Sequence, residues 1–134
     1  MLENESLFLS HEMKKKYGLI GKTLKHSFSK TYFEKKFADL KIDAEYENIE
    51  IELEMCKDVA CGVSSGGFNG VLEGGFNGLN VTIPYKESII PFLDDLDITA
   101  KNIGAVNCIQ FKNGKKIGHN TDAFGFKQLI KPFF

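Results

Sequence analysis

The sequence predicts an α/β fold, with a mostly parallel sheet, an antiparallel edge strand and flanking helices. Two observations lead to this prediction. Apolar runs typical of strands alternate with helical patterns through the first half of the 134-residue chain. Later, Asn113-Gly114 separates two strand-like segments, and this dipeptide is the strongest short-range signal of a β-hairpin. In such sheets ligands lie beyond the carboxyl ends of the strands, so we expect a site at that edge.

The first predicted unit is a strand, a loop and a helix. Residues 17–20 (YGLI) form an apolar run that a glycine ends, as expected of a strand buried on both faces. Ser29 is placed to cap the following helix, because a serine oxygen readily accepts a bond from the free N–H groups at a helix start. Phe33, Phe37 and Leu40 share one face of that helix.

The middle of the chain adds two strands around a glycine-rich stretch. Residues 44–51 alternate like a half-buried strand, and residues 52–60 suit a short helix. The pentapeptide GGFNG then occurs at 66–70 and again at 74–78. We predict a glycine-rich loop there, because the offset between the copies is too short for a solenoid repeat. Residues 79–83 form the next strand.

The second half is predicted to combine turns, helices and a hairpin. Pro84 begins a turn, and residues 85–93 suit a helix that Pro91 shortens or kinks. The remaining predicted elements, in chain order, are a helical turn at 99–103, hairpin strands at 106–111 and 115–118, and a last helix through Ile130 that Thr121 or Asp122 caps.

Composition and charge describe a soluble globular protein of one domain. The 17 basic and 18 acidic residues give a net charge of −1 and no basic field for nucleic acid. Cys56, Cys61 and Cys108 form no CxxC pair and no even disulfide set, so we expect reduced thiols. No apolar run reaches the roughly 18 residues of a membrane span, and the acidic start does not resemble a signal peptide. These observations predict a cytoplasmic protein without membrane or nucleic-acid partners.

Three familiar motifs fail on inspection. Residues 21–23 (GKT) look like the tail of a phosphate-binding loop, but Lys16 stands where GxxxxGK[ST] needs a glycine. The three histidines have no metal-ligand spacing, so we expect no metal site. The repeated GGFNG is not GxGxxG, so the chain has no dinucleotide-binding fingerprint.

Polar side chains follow the predicted strands at the edge where we expect a site. Ser27 and Ser29 follow the first strand, Asn80 and Thr82 lie on the central one, and Asn107 begins a later one. The two serines lie at a helix start, whose N–H groups and positive dipole end favour an anion such as a carboxylate. Plain helix capping is the alternative interpretation of these serines.

Lys86 is the candidate proton donor. It follows a buried strand and Pro84, so packing of its stem would aim the ammonium into the crevice at the sheet edge. When hydride reduces a ketone, negative charge grows on the oxygen, which a placed ammonium stabilises and protonates. Asp122, within hydrogen-bond reach, would hold that ammonium in place. The alternative is a solvated lysine and a helix-capping aspartate that never meet.

Four segments carry a family resemblance, and in chain order they are YGLIGKTLKHSFSK, GLNVTIPYKE, IGAVNCI and GHNTDAFGF. Their order and spacing, including 21 residues from Lys86 to Asn107, make the chain similar to the substrate-binding half of shikimate dehydrogenases. The resemblance covers about Lys16 to Ile130. It implies an oxidoreductase that reduces 3-dehydroshikimate to shikimate with NADPH, in the biosynthesis of chorismate and the aromatic amino acids.

The resemblance also implies roles for the polar residues. Hydroxyls and amides suit a polyol ring, because each buried ligand hydroxyl needs a partner. The implied roles are Ser27 and Ser29 for the substrate carboxylate, Asn80, Thr82, Asn107 and Asp122 for the ring hydroxyls, and Lys86 as the catalytic acid and base paired with Asp122.

The resemblance sets the expected domain organisation. We expect residues 1–15 to be a flexible lead-in and residues 16–134 to be the substrate-binding domain. In the family a Rossmann domain that binds NADP follows this region, whereas this chain stops at Phe134. We therefore expect the cofactor-binding domain to be absent and the chain to be inactive alone.

Other functions stay open at this point. The assembly state is open too, with a homodimer among the options. A quinate/shikimate dehydrogenase domain would differ by tolerating an extra ring hydroxyl. A non-catalytic module would bind small carboxylates in the same cleft. A folded fragment without ligand affinity is the remaining alternative.

Overall fold

A single mixed sheet organises the computed structural model, which describes residues 14–52 and 67–133. The sheet consists of β1 (Lys15–Gly21), β2 (Ala44–Glu50), β3 (Gly78–Val81), β4 (Asp95–Leu96), β5 (Cys108–Lys112) and β6 (Lys115–His119). Their spatial order is β2-β1-β3-β5-β6-β4. β1 pairs in parallel with β2 and β3, and β4 with β6, whereas β5 is antiparallel to β3 and β6. The predicted α/β class with a mostly parallel sheet is confirmed.

Short helices connect these strands. They are α1 (Ser29–Asp39), α2 (Gly67–Leu72), α3 (Ile98–Ile103) and α4 (Asp122–Ile130), with 3-10 helices at Ile90–Phe92 and Lys131–Phe133. Within the described ranges, none of them has the length and apolar character needed to cross a membrane. Most of the predicted lead-in, the helix predicted at 52–60 and two of the cysteines, Cys56 and Cys61, fall outside the described residues.

The reversed direction of β5 brings four chain segments to one edge of the sheet. β1, β3 and β6 end at this edge, and β5 begins there. Val81 N–H donates to Asn107 O at 2.8 Å, and Asn107 N–H donates to His119 O at 3.0 Å. Thr82 N–H likewise donates to Ile20 O at 2.9 Å. The antiparallel strand therefore lies inside the sheet, and the short β4 forms the edge beyond β6.

Two apolar clusters cover the two faces of the sheet. Leu19 and Ile20 are consecutive in β1, so their side chains point to opposite faces. Ile20 belongs to the larger cluster, together with the completely buried Ile89 and Val106. The smaller cluster contains Leu19, Leu24 and Tyr46, against which Tyr17, Phe33 and Phe37 are partly buried.

The start and end of α1 differ from the prediction. Ser29 is the first helical residue rather than the cap, and Ser27 Oγ accepts a hydrogen bond from the Ser29 N–H at 3.3 Å. Leu40 lies just after the helix with a residue exposure of 58%, because the chain leaves the helix there. Only Phe33 and Phe37 of the predicted apolar face pack inward.

Residues 85–93 do not form the predicted helix. They form hydrogen-bonded turns, one of which bonds Ile89 N–H to Tyr85 O at 3.1 Å, followed by the first 3-10 helix. Pro91 lies in the first turn of that 3-10 helix. Its missing N–H removes a donor that a continuous α-helix would need, so the chain cannot complete the predicted one.

The two copies of GGFNG adopt different structures, and the loop prediction is wrong for the first. There the chain forms α2, in which Phe68 and Leu72 are only 2% and 3% exposed. Phe68 packs edge-on against Tyr85 and Phe92, with ring centroids 5.2 and 5.1 Å away. Burying these side chains outweighs the low helix propensity of glycine, which costs roughly 1 kcal/mol per residue. The second copy is a loop that enters β3 at Gly78.

The hairpin between β5 and β6 forms as predicted. Asn113 and Gly114 have positive φ values of 53° and 75°, which a two-residue turn of type I′ requires. The sequence does not predict β4, because two residues are too short to show a period. The Asp94 carboxylate holds this strand beside β6 by accepting the Lys116 N–H at 2.8 Å.

Candidate active site

An ion pair joins the turn after β3 to the start of α4. Lys86 Nζ lies 2.6 Å from Asp122 Oδ2 and donates a hydrogen bond to it. The Lys86 backbone is fixed because its carbonyl accepts the Val106 N–H at 2.8 Å. The two side chains are 31% and 55% exposed, so both can reach a ligand in solvent. One ammonium hydrogen is used by this contact, and two remain for other acceptors.

Asn107 holds the other side of the same carboxylate. Its Nδ2 donates to Asp122 Oδ1 at 3.0 Å and to Thr121 Oγ1 at 2.8 Å. Its Oδ1 accepts the Thr121 N–H at 3.0 Å. Both amide hydrogens of Asn107 are therefore engaged, and only an oxygen lone pair is left for a substrate. The structure thus brings Lys86, Asn107 and Asp122 together, with Asn107 orienting the carboxylate.

The start of α4 is fixed by a residue that the sequence analysis did not single out. Asn120 is 7% exposed, its Nδ2 donates to Ala105 O at 3.0 Å, and its Oδ1 accepts the Ala123 N–H at 3.2 Å. Thr121 therefore occupies the predicted N-cap position without a side-chain capping bond, and the Asn120 side chain, one residue earlier, accepts the helix N–H instead. Because Asp122 has no capping role, its carboxylate is left for Lys86 and Asn107.

Just before this turn, His119 ties β6 to its neighbours. Its Nδ1 lies 2.9 Å from Asp97 Oδ2, and its Nε2 lies 2.9 Å from Gln110 Oε1. Asp97 also caps α3 by accepting the Ala100 N–H at 2.7 Å. These contacts fix the strand from which residues 120–122 leave the sheet.

A cleft of about 640 Å³ contains the predicted serine pair. Thr82 lines it together with Ser27 and Ser29, and Lys22 lies on the same wall. Its lining is completed by Leu19, Thr23, Leu24, His26, Ile83 and Pro84. The serine loop is held in place because Glu50 Oε1 accepts the Leu24 N–H at 3.1 Å and Leu24 O accepts the Ser27 N–H at 2.9 Å.

Asn80 lies apart from both groups. It lies two residues before Thr82, which directly follows β3, and so faces the same side roughly 7 Å further into the sheet. Its Nδ2 donates to the Tyr46 hydroxyl at 2.9 Å. It lines a separate apolar cavity of about 240 Å³ beneath α1, together with Tyr46 and Cys108. Cys108 is a free thiol, and burial raises its pKa.

Tyr46 is the site-adjacent residue that sequence reasoning missed. It is 3% exposed, and burial raises the pKa of its phenol above the ordinary value of 10.0. Hydrogen bonding with the Asn80 and Ser29 side chains offsets part of that rise in pKa. The alternation of residues 44–51 does place Tyr46 inward, but no sequence pattern connects it to β3.

The described residues contain neither a dinucleotide-binding fingerprint nor a metal-binding cluster. None of the strand-to-helix turns in residues 14–52 and 67–133 carries GxGxxG. In the same ranges, His, Cys, Asp and Glu form no group of three or more that could hold a metal. The side chains that the site brings forward carry hydroxyls, amides, one ammonium and one carboxylate.

Comparison with known proteins identifies what the chain is similar to. Residues 19–109 match the family model of the shikimate dehydrogenase substrate binding domain. Over 114 residues the chain is 41% identical to the shikimate dehydrogenase (NADP(+)) of Methanococcus maripaludis. The aligned segment covers 85% of this chain and 38% of that protein. The chain thus spans about two fifths of the length of the curated relatives it matches.

Solved structures give the same comparison in three dimensions. The shikimate dehydrogenase of Thermus thermophilus in complex with shikimate is 30% identical, with a TM-score of 0.72 over 88% of this chain and 42% of that one. The 5-ketofructose reductase of Gluconobacter sp. strain CHM43 is 26% identical, with a TM-score of 0.74 over 90% of this chain and 41% of that one.

Proposed function

The chain belongs to the family of the shikimate dehydrogenase substrate-binding domain, and from this premise we propose that it binds shikimate and 3-dehydroshikimate for an NADP-dependent shikimate dehydrogenase. The reaction would interconvert a ring ketone and an alcohol in the chorismate pathway, and we propose that it takes place in the cytoplasm. The observation that carries the proposal is the 2.6 Å contact between Lys86 and Asp122 at the edge where three parallel strands end.

The serine cleft is the proposed site for the substrate carboxylate. Two hydroxyls, from Ser27 and Ser29, stand at the amino end of the 11-residue α1, where the helix dipole favours negative charge. The Lys22 side chain lines the same cleft and adds positive charge. A carboxylate there would fix one end of the ring, which leaves the opposite end to face the chain segment that leaves β3.

Ring hydroxyls are the proposed ligands of Thr82, Asn80, Asn107 and Asp122. Asp122 is acceptor-only while ionised, so it suits a substrate hydroxyl that donates. Asn107 has only its oxygen left, so its role is to accept one bond and to hold Asp122. Asn80 keeps one amide hydrogen and its oxygen after bonding Tyr46. Unpaired polar groups in such a site would penalise analogues that lack a hydroxyl.

Lys86 is the proposed acid and base. In the reducing direction the carbonyl carbon would gain a hydride supplied by NADPH, and Lys86 Nζ would give a proton to the oxygen, so the C=O bond becomes CH–OH. In the oxidising direction Nζ takes that proton back. Asp122 accepts a hydrogen bond from the ammonium and fixes its position.

The likeness to a 5-ketofructose reductase makes a neutral polyhydroxy ketone the second candidate substrate. The serine pair separates the two candidates, because a sugar ketone has no carboxylate for it to bind. Quinate, with one more ring hydroxyl, and a simple carboxylate are the further competitors. Light scattering on the same preparation tests whether the chain forms a homodimer.

Calorimetric titration of the 134-residue chain tests the proposal. We expect shikimate to bind, quinate and 5-ketofructose to bind more weakly, and the Ser27→Ala/Ser29→Ala double variant to lose shikimate affinity about 10-fold or more. Ser88→Ala, an exposed serine in the turn after β3, is the matched control and should bind as the parent does. A folded chain that takes up no shikimate, or takes it up equally well without the serines, would overturn the proposal.

A further inference from the structure

We propose, resting on the proposed function, that Tyr46 is a positioning residue that sets the distance between the carboxylate-binding serines at the start of α1 and the hydroxyl-binding Asn80 on β3. It touches no substrate in this scheme. Its hydroxyl contacts Asn80 on β3, and its ring contacts Phe33 on α1.

The hydroxyl fixes Asn80. Asn80 Nδ2 donates to the Tyr46 oxygen at 2.9 Å, and the Tyr46 residue is 3% exposed, so water does not compete for this bond. The Tyr46 hydroxyl therefore joins β2 to the centre of β3, which come from distant parts of the sequence.

The ring fixes α1. It stacks on Phe33, with centroids 4.9 Å apart and an interplanar angle of 14°. Phe33 lies one helical turn after Ser29, so this contact holds the end of the helix that carries the serines. No residue of α1 is itself fully buried, which makes its aromatic contacts with the sheet the main anchor of its position.

The span requires a tyrosine. Tyr46 lies on β2 and Asn80 on β3, with β1 between them, and Asn80 is two residues further along the strand direction, so their backbones are roughly 12 Å apart. A phenol crosses the intervening strand and still ends in a polar atom. Phenylalanine would keep the stack on Phe33 and leave Asn80 without its partner, which separates the packing role from the positioning role.

The test uses Tyr46→Phe, with Tyr32→Phe as the matched control. Tyr32 also contacts Phe33, edge-on at 5.1 Å, but it is 57% exposed. In the ligand-free chain we expect the side-chain amide resonance of Asn80 to move in Tyr46→Phe and to stay in Tyr32→Phe. We expect shikimate affinity to fall about 5- to 10-fold in Tyr46→Phe only. In an Asn80→Ala background, Tyr46→Phe should have little further effect, because the two act through one contact.

Each outcome decides between the two proposals. An unchanged Asn80 resonance, or additive losses of affinity in the double variant, would overturn the positioning role. A moved Asn80 resonance with unchanged shikimate affinity would overturn it as well. A parent chain that does not bind shikimate would overturn the proposed function, and the Asn80 resonance would still decide whether Tyr46 holds that side chain.

Discussion

Lys86 Nζ and Asp122 Oδ2 lie 2.6 Å apart although 36 residues separate them in the chain. Nothing local brings them together. Lys86 follows the end of β3, and Asp122 follows the end of β6. β5 lies between these strands and begins at the edge of the sheet where both of them end. The partly exposed pair contributes little to folding, since such ion pairs stabilise by about 0–1 kcal/mol.

Lys86→Ala should therefore abolish function and spare the fold. With residues 1–134 joined to the cofactor-binding part of the Methanococcus maripaludis relative, we expect the oxidation of shikimate to slow by about 10²- to 10⁴-fold, the usual contribution of a placed acid or base. The free energy of unfolding should change by less than about 1 kcal/mol. Turnover is followed by NADPH absorbance, and stability by urea denaturation.

Lys101→Ala is the matched control for that variant. Lys101 forms an exposed ion pair with Asp95 at 3.6 Å, away from the proposed site. The Lys101→Ala substitution should leave turnover unchanged. Equal turnover in the parent and in Lys86→Ala would remove the lysine from the mechanism.

Alanine substitutions at Gly118 and Gly125 should change the free energy of unfolding in opposite directions. A Cβ at Gly118 would lie 2.7 Å from Val106 Cγ2 and 2.8 Å from Leu93 Cδ1 and Leu96 Cδ2, all in or packed against the larger core cluster. We expect Gly118→Ala to lower the free energy of unfolding by about 1–3 kcal/mol, the usual effect of overpacking. Around Gly125 a Cβ would meet nothing within 4 Å, so Gly125→Ala should raise it by about 0.5–1 kcal/mol through helix propensity. Urea denaturation of both variants measures this, and a stabilised Gly118→Ala would contradict the packing.

Sequence reasoning reached the parts of the site that follow from strand ends. Alternation and turn signals placed Lys86, Asn107 and Asp122 where strands enter or leave the sheet, and ligands gather at that edge. The 2.6 Å contact itself depends on the order of strands in space, which a sequence does not state. The capping role of Asn120 was missed because three neighbouring polar residues offered equal local signals.

The fold predictions failed where tertiary burial opposed local preference. Phe68 and Leu72 make a helix out of a glycine-rich segment because they fill the core beside Tyr85. The hydrogen bond between Tyr46 and Asn80 could not be predicted from the sequence for another reason. It crosses an intervening strand, so neither period nor spacing along the chain reports it.

Stability should fall at high pH through Tyr46. Burial raises the pKa of this phenol above its ordinary value of 10.0, so the folded chain holds the proton more tightly than the unfolded chain. The stabilisation is fully present below pH 10.0 and is lost as the pH rises through the folded-state pKa. Urea denaturation from about pH 8 to 11 should show a steeper loss above about pH 10 in the parent than in Tyr46→Phe. The Cys108 thiol, whose pKa burial also raises, is common to both chains, and its charge adds to the rise in the pKa of Tyr46 in the parent. Parallel curves above that pH would contradict the prediction.

The Asn107→Ala variant should show whether Asp122 must be held in a fixed orientation, because it keeps Asp122 and removes its partner. The substitution removes both side-chain donations from Nδ2, at 2.8 and 3.0 Å, and the acceptor of the Thr121 N–H. Because these groups are exposed and water replaces them, we expect a loss of about 0.5–1.5 kcal/mol in unfolding free energy. Turnover in the joined protein should fall further than shikimate affinity, because a carboxylate free to rotate no longer fixes the Lys86 ammonium for proton transfer. Gln110→Ala, which removes one exposed hydrogen bond to His119 Nε2, is the control and should leave that ratio unchanged. An equal fall of turnover and affinity in Asn107→Ala would assign Asn107 to substrate binding alone.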